Sequence, residues 1–302
     1  VGQTMRLNPH GDAAIYETMV RLARGNESLL HPYVDSKGNF GKVYSRDMAY
    51  AAPRYTEVKL EPIASELFAD IDKETVDFMP NYDNTMQEPT LLPASFPSVL
   101  VNANVGIAVS MASNVCPFNL AEVCETTIAL LQNPEHDILS TLPAPDFPTG
   151  GIITNQKELL SIYETGTGRL RLRGKIEFEK GAKRSERDRL VVTEIPYTMV
   201  GANIGKFILD MCDLVESKKT TDIVDISNES DKEGIRIVLE LKKGADPVKL
   251  ENMLYKKTRL EDTFGVNMLV IADGRPEVLG LKDILKHCVE FQYEINTRKY
   301  TT

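Results

Sequence analysis

IRIVLELK (residues 235–242) sets Ile235, Ile237, Leu239 and Leu241 at alternate positions, against a face that carries Arg236, Glu240 and Lys242. A period of two is the signature of a strand. Upstream, residues 203–215 bring Ile204, Phe207, Ile208, Met211 and Val215 to one side of a helix. Residues 119–132 do the same with Leu120, Val123, Thr127, Leu130 and Leu131. RLRLRGKIEFEK (169–180) alternates Leu170 and Leu172 with Arg169, Arg171 and Arg173, so a strand here carries a cationic outer face. Helices and strands are interleaved, and the expected class is mixed α/β.

Outward from this region the pattern loosens. Towards the N-terminus, His10-Gly11-Asp12 precedes AAIYETMVRLARG, and Asp12 is the expected N-cap of a helix carrying Ile15, Met19 and Leu22, stopped at Gly25. Residues 25–54 read as loop, with DSKGNFG (35–41) as a turn. An acid-rich helix is expected from Ile63 to Ile71. Prolines accumulate from Asn81 to Pro97 and periodicity fades, which puts a domain boundary near 95. At the other end, Leu281, Ile284, Cys288, Phe291 and Ile295 form a stripe that suits either a short coiled coil or an ordinary packed helix.

The chain has 302 residues, 42% of them hydrophobic and 26% charged, enough for real cores. A net charge of −9 argues against a uniformly cationic nucleic-acid binder. The charge is segregated, however: residues 165–190 hold nine Lys/Arg against four Asp/Glu, and residues 61–100 hold one against eight. Local phosphate contacts therefore stay open, since they depend on where the cations lie. Cys116, Cys124, Cys212 and Cys288 are far apart in sequence, as expected of reduced thiols in a cytosolic protein. The most apolar stretch, 98–113, is too short to span a bilayer and is broken by Asn102 and Asn104. The start, VGQTMRLNPHG, has no signal-peptide core and no initiating Met, so a piece of a longer cytoplasmic protein is expected.

Generic catalytic motifs are missing: the sequence has no Walker A loop, HExxH, GxSxG or clustered His/Cys ligands. GTGRLRLRG opens a strand and is not a dinucleotide fingerprint. AAPRYTE (51–57) and NPHGDAAIYE (8–17) are the candidates for chemistry. A phenol ordinarily titrates near 10, so a nucleophilic Tyr55 needs help from cations or a base. Arg54 offers a planar fork to phosphate oxygens, and His10 could do acid–base or phosphate work before a helix N-terminus. From spacing alone, Tyr55 reads first as an ordinary surface aromatic.

PHGDAAIY (9–16), GNFG (38–41), RYTE (54–57), DIDKETVDFMPNYD (70–83), EPTLLPASFP (88–97), LVNANVGIAV (100–109), PDFPTGGII (145–153), VTEIPY (192–197) and LYKKTRLEDTFGVNML (254–269) follow one another in order. Together they resemble the A subunit of the bacterial type IIA topoisomerases, the family of DNA gyrase and topoisomerase IV. The resemblance runs from residue 1 to 302. It implies an incomplete winged-helix DNA-gate domain (1–97), an α/β tower (98–272) and the start of a coiled coil towards the exit gate (273–302).

The resemblance also implies roles. Tyr55 would become linked to a DNA 5′-phosphate, Arg54 would stabilise the charge of the transition state, and His10 would approach the scissile phosphate. Arg21, Arg169 and Arg171 would contact double-stranded DNA, and Ile107 would wedge between base pairs; by residue type alone, Ile107 in an apolar strand reads as core. Ala13 and Glu17 match the Ser and acid that hold a water–Mg²⁺ bridge to fluoroquinolones. Mg²⁺ and ATP would be bound by the B subunit, with no metal on this chain. The acidic 61–88 segment reads as a solvated helix face. The partners implied are the B subunit and a second A subunit, with no membrane. Gyrase is the expected member, with topoisomerase IV or a non-catalytic DNA-binding fragment as alternatives. Asn8 and Leu7 stand where the family has His and Tyr, Pro53 stands where it has Met, and KVYSRDMAYAAP (42–53) is longer than usual.

Overall fold

The structure is a computed structural model that describes residues 1–45, 49–201 and 203–301. A short helix, α1 (Thr4–Leu7), leads to α2 (Asp12–Leu22). Asp12 is the first helical residue and not the cap: Gly11 takes that position, while the Asp12 carboxylate accepts from the Ala13 N–H and lies at the positive end of the helix dipole. Strands β1 (Val34–Lys37) and β2 (Glu57–Leu60) pair antiparallel, Val34 opposite Leu60 and Lys37 opposite Glu57. Tyr16 and Val20 of α2 pack with Ala23, Val34 and Phe40 into a small core. The stretch expected as pure loop thus contributes a strand, and Gly25 sits so near it that a Cβ would lie 2.8 Å from Ser36 Oγ.

No α-helix forms at 63–71. Pro62 opens a 3₁₀ segment that ends at Leu67, and Asp70 then adopts a left-handed conformation. Strands β3 (Phe78–Pro80) and β4 (Gln87–Pro89) make a hairpin beyond it. The acids of this segment are not simply solvated. Glu61 pairs with Arg24, Asp70 with Lys73 and Lys299, and Asp77 with Arg298.

The next unit holds the largest core. After α3 (Ser98–Val101) come β5 (Asn104–Ala108) and β6 (Met111–Val115), then α4 (Leu120–Gln132), α5 (Ile138–Thr141), β7 (Ile152–Ile153), α6 (Leu159–Thr165) and β8 (Thr167–Arg173). Asn119 caps α4 through the N–H groups of Ala121 and Glu122. Val123 is buried on this helix as expected, but Leu131 is exposed and Thr126 is buried in its place. Crossing at Gly174, the chain leaves this sheet for β9 (Lys175–Glu179) and β10 (Arg189–Glu194). A Cβ at Gly174 would meet Glu194 O and Leu260 Cδ1 at 2.6 Å, so the crossing requires glycine, and RLRLRGKIEFEK forms two strands in two sheets.

The second sheet is completed by β11 (Ile223–Asn228) and β12 (Ile237–Leu241), in the order β11-β12-β10-β9. It is covered by α7 (Asn203–Glu216) and α8 (Pro247–Lys257). Ile204, Phe207, Met211 and Leu214 of α7 pack on Ile237 and Leu239. Burying each of these side chains contributes about 1.5–3 kcal/mol. Val238 is buried too, so β12 is covered on both faces. The chain then returns to the first sheet through β13 (Glu261–Asn267), giving the order β5-β6-β13-β8-β7. A hairpin, β14 (Leu269–Ala272) and β15 (Arg275–Val278), precedes α9 (Leu281–Thr301). Leu281, Ile284 and Leu285 join the core of the first sheet. Further along, Arg298 donates to Glu74 O and Lys299 bonds Asp70, so α9 runs back along the acidic segment of its own chain.

The N-terminal unit is joined to the sheets by specific bonds. Asn102, itself buried, exchanges two hydrogen bonds with the backbone of His31, at 2.8 and 2.9 Å. His31 Nε2 accepts from the Leu120 N–H at 3.3 Å, at the start of α4, and so must be unprotonated there. Burial holds the His31 ring below its ordinary pKa of 6.5, with Asp146 opposing the shift. A histidine whose folded pKa is depressed contributes stability above the ordinary value and loses it as pH falls below. Between about pH 7 and pH 5.5, the thermal midpoint should therefore fall more steeply for the wild type than for His31→Gln. Parallel curves in a thermal melt series would show that His31 does not carry this dependence.

Candidate functional site

Tyr55 is presented by a rigid single turn. Pro53 fixes φ at the first position of a 3₁₀ turn, Pro53–Tyr55, and Ala52 before it is extended, as a pre-proline residue prefers. Thr56 is extended again and leads into β2. Across from the turn, Gly38 of the GNFG segment has φ +108°, and a Cβ there would stand 2.9 Å from Tyr55 O. Only glycine fits this close approach. The Tyr55 side chain is 70% exposed, and the Arg54 guanidinium lies 5.6 Å from its ring centroid. The unusual Pro53 is thus accommodated as a turn opener. Of the longer 42–53 segment, residues 46–48 lie outside the described residues, while Ala51 N–H bonds Asn39 O and Tyr44 OH bonds Asp231 O.

Helix α2 forms the other wall. Tyr16 is buried, and its hydroxyl reaches Ala51 O at 2.9 Å and Thr56 Oγ1 at 2.8 Å, one on each side of the Tyr55 turn. Tyr50 packs edge-on against Tyr16, ring centroids 5.6 Å apart, and its hydroxyl donates to Glu17 Oε1 at 3.3 Å. Sequence reasoning missed Tyr16 and Tyr50, whose partners lie 33 to 40 residues away. Ala13 and Glu17 are both exposed, one helical turn apart on α2. His10 is exposed just before α2 and shares a shallow groove with Asn8, Ala14 and Thr18. Among the described residues no hydrogen bond joins His10 to Arg54 or Tyr55. Arg21 is exposed in the last turn of α2, near enough to the Tyr197 phenol to oppose the upward pull of burial on its pKa.

The remaining candidates lie on the first sheet. Ile107 is 88% exposed, opposite Ala112 near the tip of the β5–β6 hairpin, with Val105 and Val109 exposed beside it. The reading of Ile107 as core is overturned: among the described residues β5 is an edge strand that pairs only with β6, and no layer covers these side chains. An exposed apolar cluster of this kind marks a contact surface. Ile107→Ala should leave the thermal midpoint nearly unchanged, within about 0.5 kcal/mol of wild-type stability. A marked loss of stability in a thermal melt would restore the core role. On β8, Arg169 and Arg171 are exposed while Leu170 and Leu172 between them are buried. Arg171 lies 3.9 Å from Glu261, and Arg173 pairs with the same carboxylate at 2.6 Å. Among the described residues no group of three or more His, Cys, Asp or Glu is placed to hold a metal ion. No helix among them is long and apolar enough to cross a membrane.

The model of the family described as the DNA gyrase/topoisomerase IV A subunit matches residues 1–302. The chain belongs to this family. Similar relatives include the DNA gyrase A subunit of Clostridium acetobutylicum, 45% identical over 97% of this chain and 35% of its own. The DNA gyrase A subunit of Arabidopsis thaliana, named as chloroplastic/mitochondrial, is 42% identical over 99% of this chain and 31% of its own. Its counterpart from Pseudomonas aeruginosa is 41% identical over 97% and 32%. The chain thus spans about a third of the length of the curated relatives it matches.

Proposed function

We propose that this chain is the DNA-cleaving part of a type IIA topoisomerase A subunit, most simply a gyrase, given the names of its relatives. The observation that carries the reading is Tyr55, exposed beside Arg54 on a turn locked by Pro53, Gly38 and Tyr16. The Tyr55 hydroxyl oxygen attacks a DNA phosphorus; the new O–P bond forms as the bond to the 3′-oxygen breaks. The phenolic proton leaves to a base, for which His10 is the candidate, and the 3′-oxygen takes up a proton as a free hydroxyl. One phosphodiester is exchanged for another, so resealing is the same step reversed. Catalysis then rests on positioning and on stabilising charge at the phosphoryl group.

Arg54 supplies two parallel N–H donors to phosphate oxygens. Arg54→Lys keeps the charge and loses the fork, so cleavage should fall by about an order of magnitude or more. A wild-type rate in a single-turnover cleavage assay would make Arg54 a solvated neighbour. Ile107 bends the DNA by unstacking a base step, at a cost of a few kcal/mol offset by wider contact. Arg21, Arg169 and Arg171 hold the DNA backbone. On this reading residues 1–97 belong to the gate, 98–272 to the tower and 273–302 to the coiled-coil start. Mg²⁺ and ATP belong to the B subunit, the assembly pairs two A with two B subunits, and the enzyme works in the cytoplasm. The deciding experiment mixes the complete A subunit with its B subunit, Mg²⁺, ATP and relaxed or linked plasmid. Negative supercoiling supports gyrase, decatenation alone supports topoisomerase IV, and neither would reduce the chain to a DNA-binding module.

A further inference from the structure

Both ends of the turn that presents Tyr55 are held by one hydroxyl. Tyr16 OH contacts Ala51 O, two residues before Pro53, and Thr56 Oγ1, the residue after Tyr55. Tyr16 and Thr56 bring two hydroxyl protons to these contacts, and both short ones are satisfied when Tyr16 donates to the Ala51 carbonyl and the Thr56 hydroxyl donates to Tyr16. The longer contact from Thr56 Oγ1 to Pro53 O, at 3.3 Å, competes for the same Thr56 proton. The ring of Tyr16 is itself fixed. It is 4% exposed, tilted against Phe40 at 6.5 Å and edge-on to Tyr50 at 5.6 Å, inside the core that α2 shares with β1. A buried phenol needs partners for its hydroxyl, and here both partners belong to the Tyr55 loop.

We propose that Tyr16 is a positioning residue for DNA cleavage, its hydroxyl clamping the two ends of the Pro53–Tyr55 turn so that the Tyr55 oxygen is held in line with the scissile phosphate. This rests on Tyr55 being the nucleophile. The ring alone fills the core, so the clamp and the packing are separable: Tyr16→Phe keeps the packing and removes both bonds. Thr56 supplies an independent handle, because Thr56→Val removes the donor while Thr56→Ser keeps it.

The test is single-turnover formation of the covalent protein–DNA complex by the complete A subunit with its B subunit and Mg²⁺, alongside DNA affinity and thermal midpoint. Tyr16→Phe should slow cleavage about tenfold, a loss of about 1.4 kcal/mol of transition-state stabilisation, with DNA affinity within about twofold of wild type. Thr56→Val should reproduce the defect, Thr56→Ser should restore most of the rate, and the double variant Tyr16→Phe/Thr56→Val should be no slower than the worse single one, since both cut the same link. Wild-type rates in Tyr16→Phe, a loss of DNA affinity as large as the loss of rate, or a Thr56→Ser variant as slow as Thr56→Val would each overturn the proposal. If Tyr16→Phe melts early, the Thr56 pair decides alone. Tyr55→Phe in parallel separates the two ideas: adducts in that variant overturn the nucleophile itself, whereas its silence beside a fully active Tyr16→Phe overturns only the clamp.

Discussion

Tyr55→Phe removes one oxygen atom and should abolish covalent DNA cleavage, with DNA affinity nearly unchanged. The side chain is 70% exposed, so deleting its hydroxyl leaves no buried group unpaired and opens no cavity. Backbone geometry survives too, because the turn is set by Pro53, by Gly38 against Tyr55 O and by Tyr16, none of which touches the hydroxyl in question. The loss should be complete, since Pro53 and Arg54 carry no hydroxyl and that of Thr56 is engaged with Tyr16 and Pro53 O. Gel trapping of protein–DNA adducts after denaturation reads the result directly. Adducts trapped with the Phe variant would place the chemistry elsewhere.

The second large effect concerns fluoroquinolones. A hydroxyl at position 13 and an acid at position 17, one turn apart on α2, are the two anchors that the family resemblance implies for the drug's water–Mg²⁺ bridge. Position 13 is Ala and has no hydroxyl to offer. Glu17 is present, but the Tyr50 hydroxyl already donates to its carboxylate. One missing hydrogen bond to a metal-bound water costs about 1–3 kcal/mol, or roughly 5- to 150-fold in affinity. The enzyme should therefore be poorly sensitive, and Ala13→Ser should lower the half-maximal drug concentration for cleavage complexes by that factor. Drug-free activity should not change, because position 13 is exposed and tolerates a serine. Equal half-maximal concentrations for the two proteins would remove the bridge as the anchor.

How much of the molecule is legible in the sequence differs from element to element. The amphipathic helix at 203–216 and the strand around 237–241 are plain, because their periodicity is local: Ile204, Phe207 and Met211, and Ile237, Leu239 and Leu241, are buried as expected, with Leu214 and Val238 added to them. The helix expected at 63–71 does not form: acids at helical spacing look solvated, whereas Asp70 and Asp77 serve Lys299 and Arg298 more than two hundred residues away. Ile107 misleads by its residue type, since whether an apolar strand residue is covered depends on what lies above the strand, and among the described residues nothing covers this one. Tyr55, Arg54 and His10 emerge through motif resemblance and not through periodicity. Tyr16 lies inside the PHGDAAIY motif, yet its task is invisible there, since a buried hydroxyl declares itself only when its partners at 51 and 56 are placed in space.

Which atom becomes attached to DNA decides the assignment most directly. The measurement is peptide mapping by mass spectrometry of the covalent complex, formed on DNA by the complete A subunit with its B subunit and Mg²⁺, then digested with protease and nuclease. The predicted product is a nucleotide linked through its 5′-phosphate to Tyr55, on a peptide containing Arg54-Tyr55-Thr56 or its cleaved equivalent, with a free 3′-hydroxyl on the opposite DNA end. A nucleotide attached to any other residue, or a 3′-phosphate link to Tyr55, would contradict it.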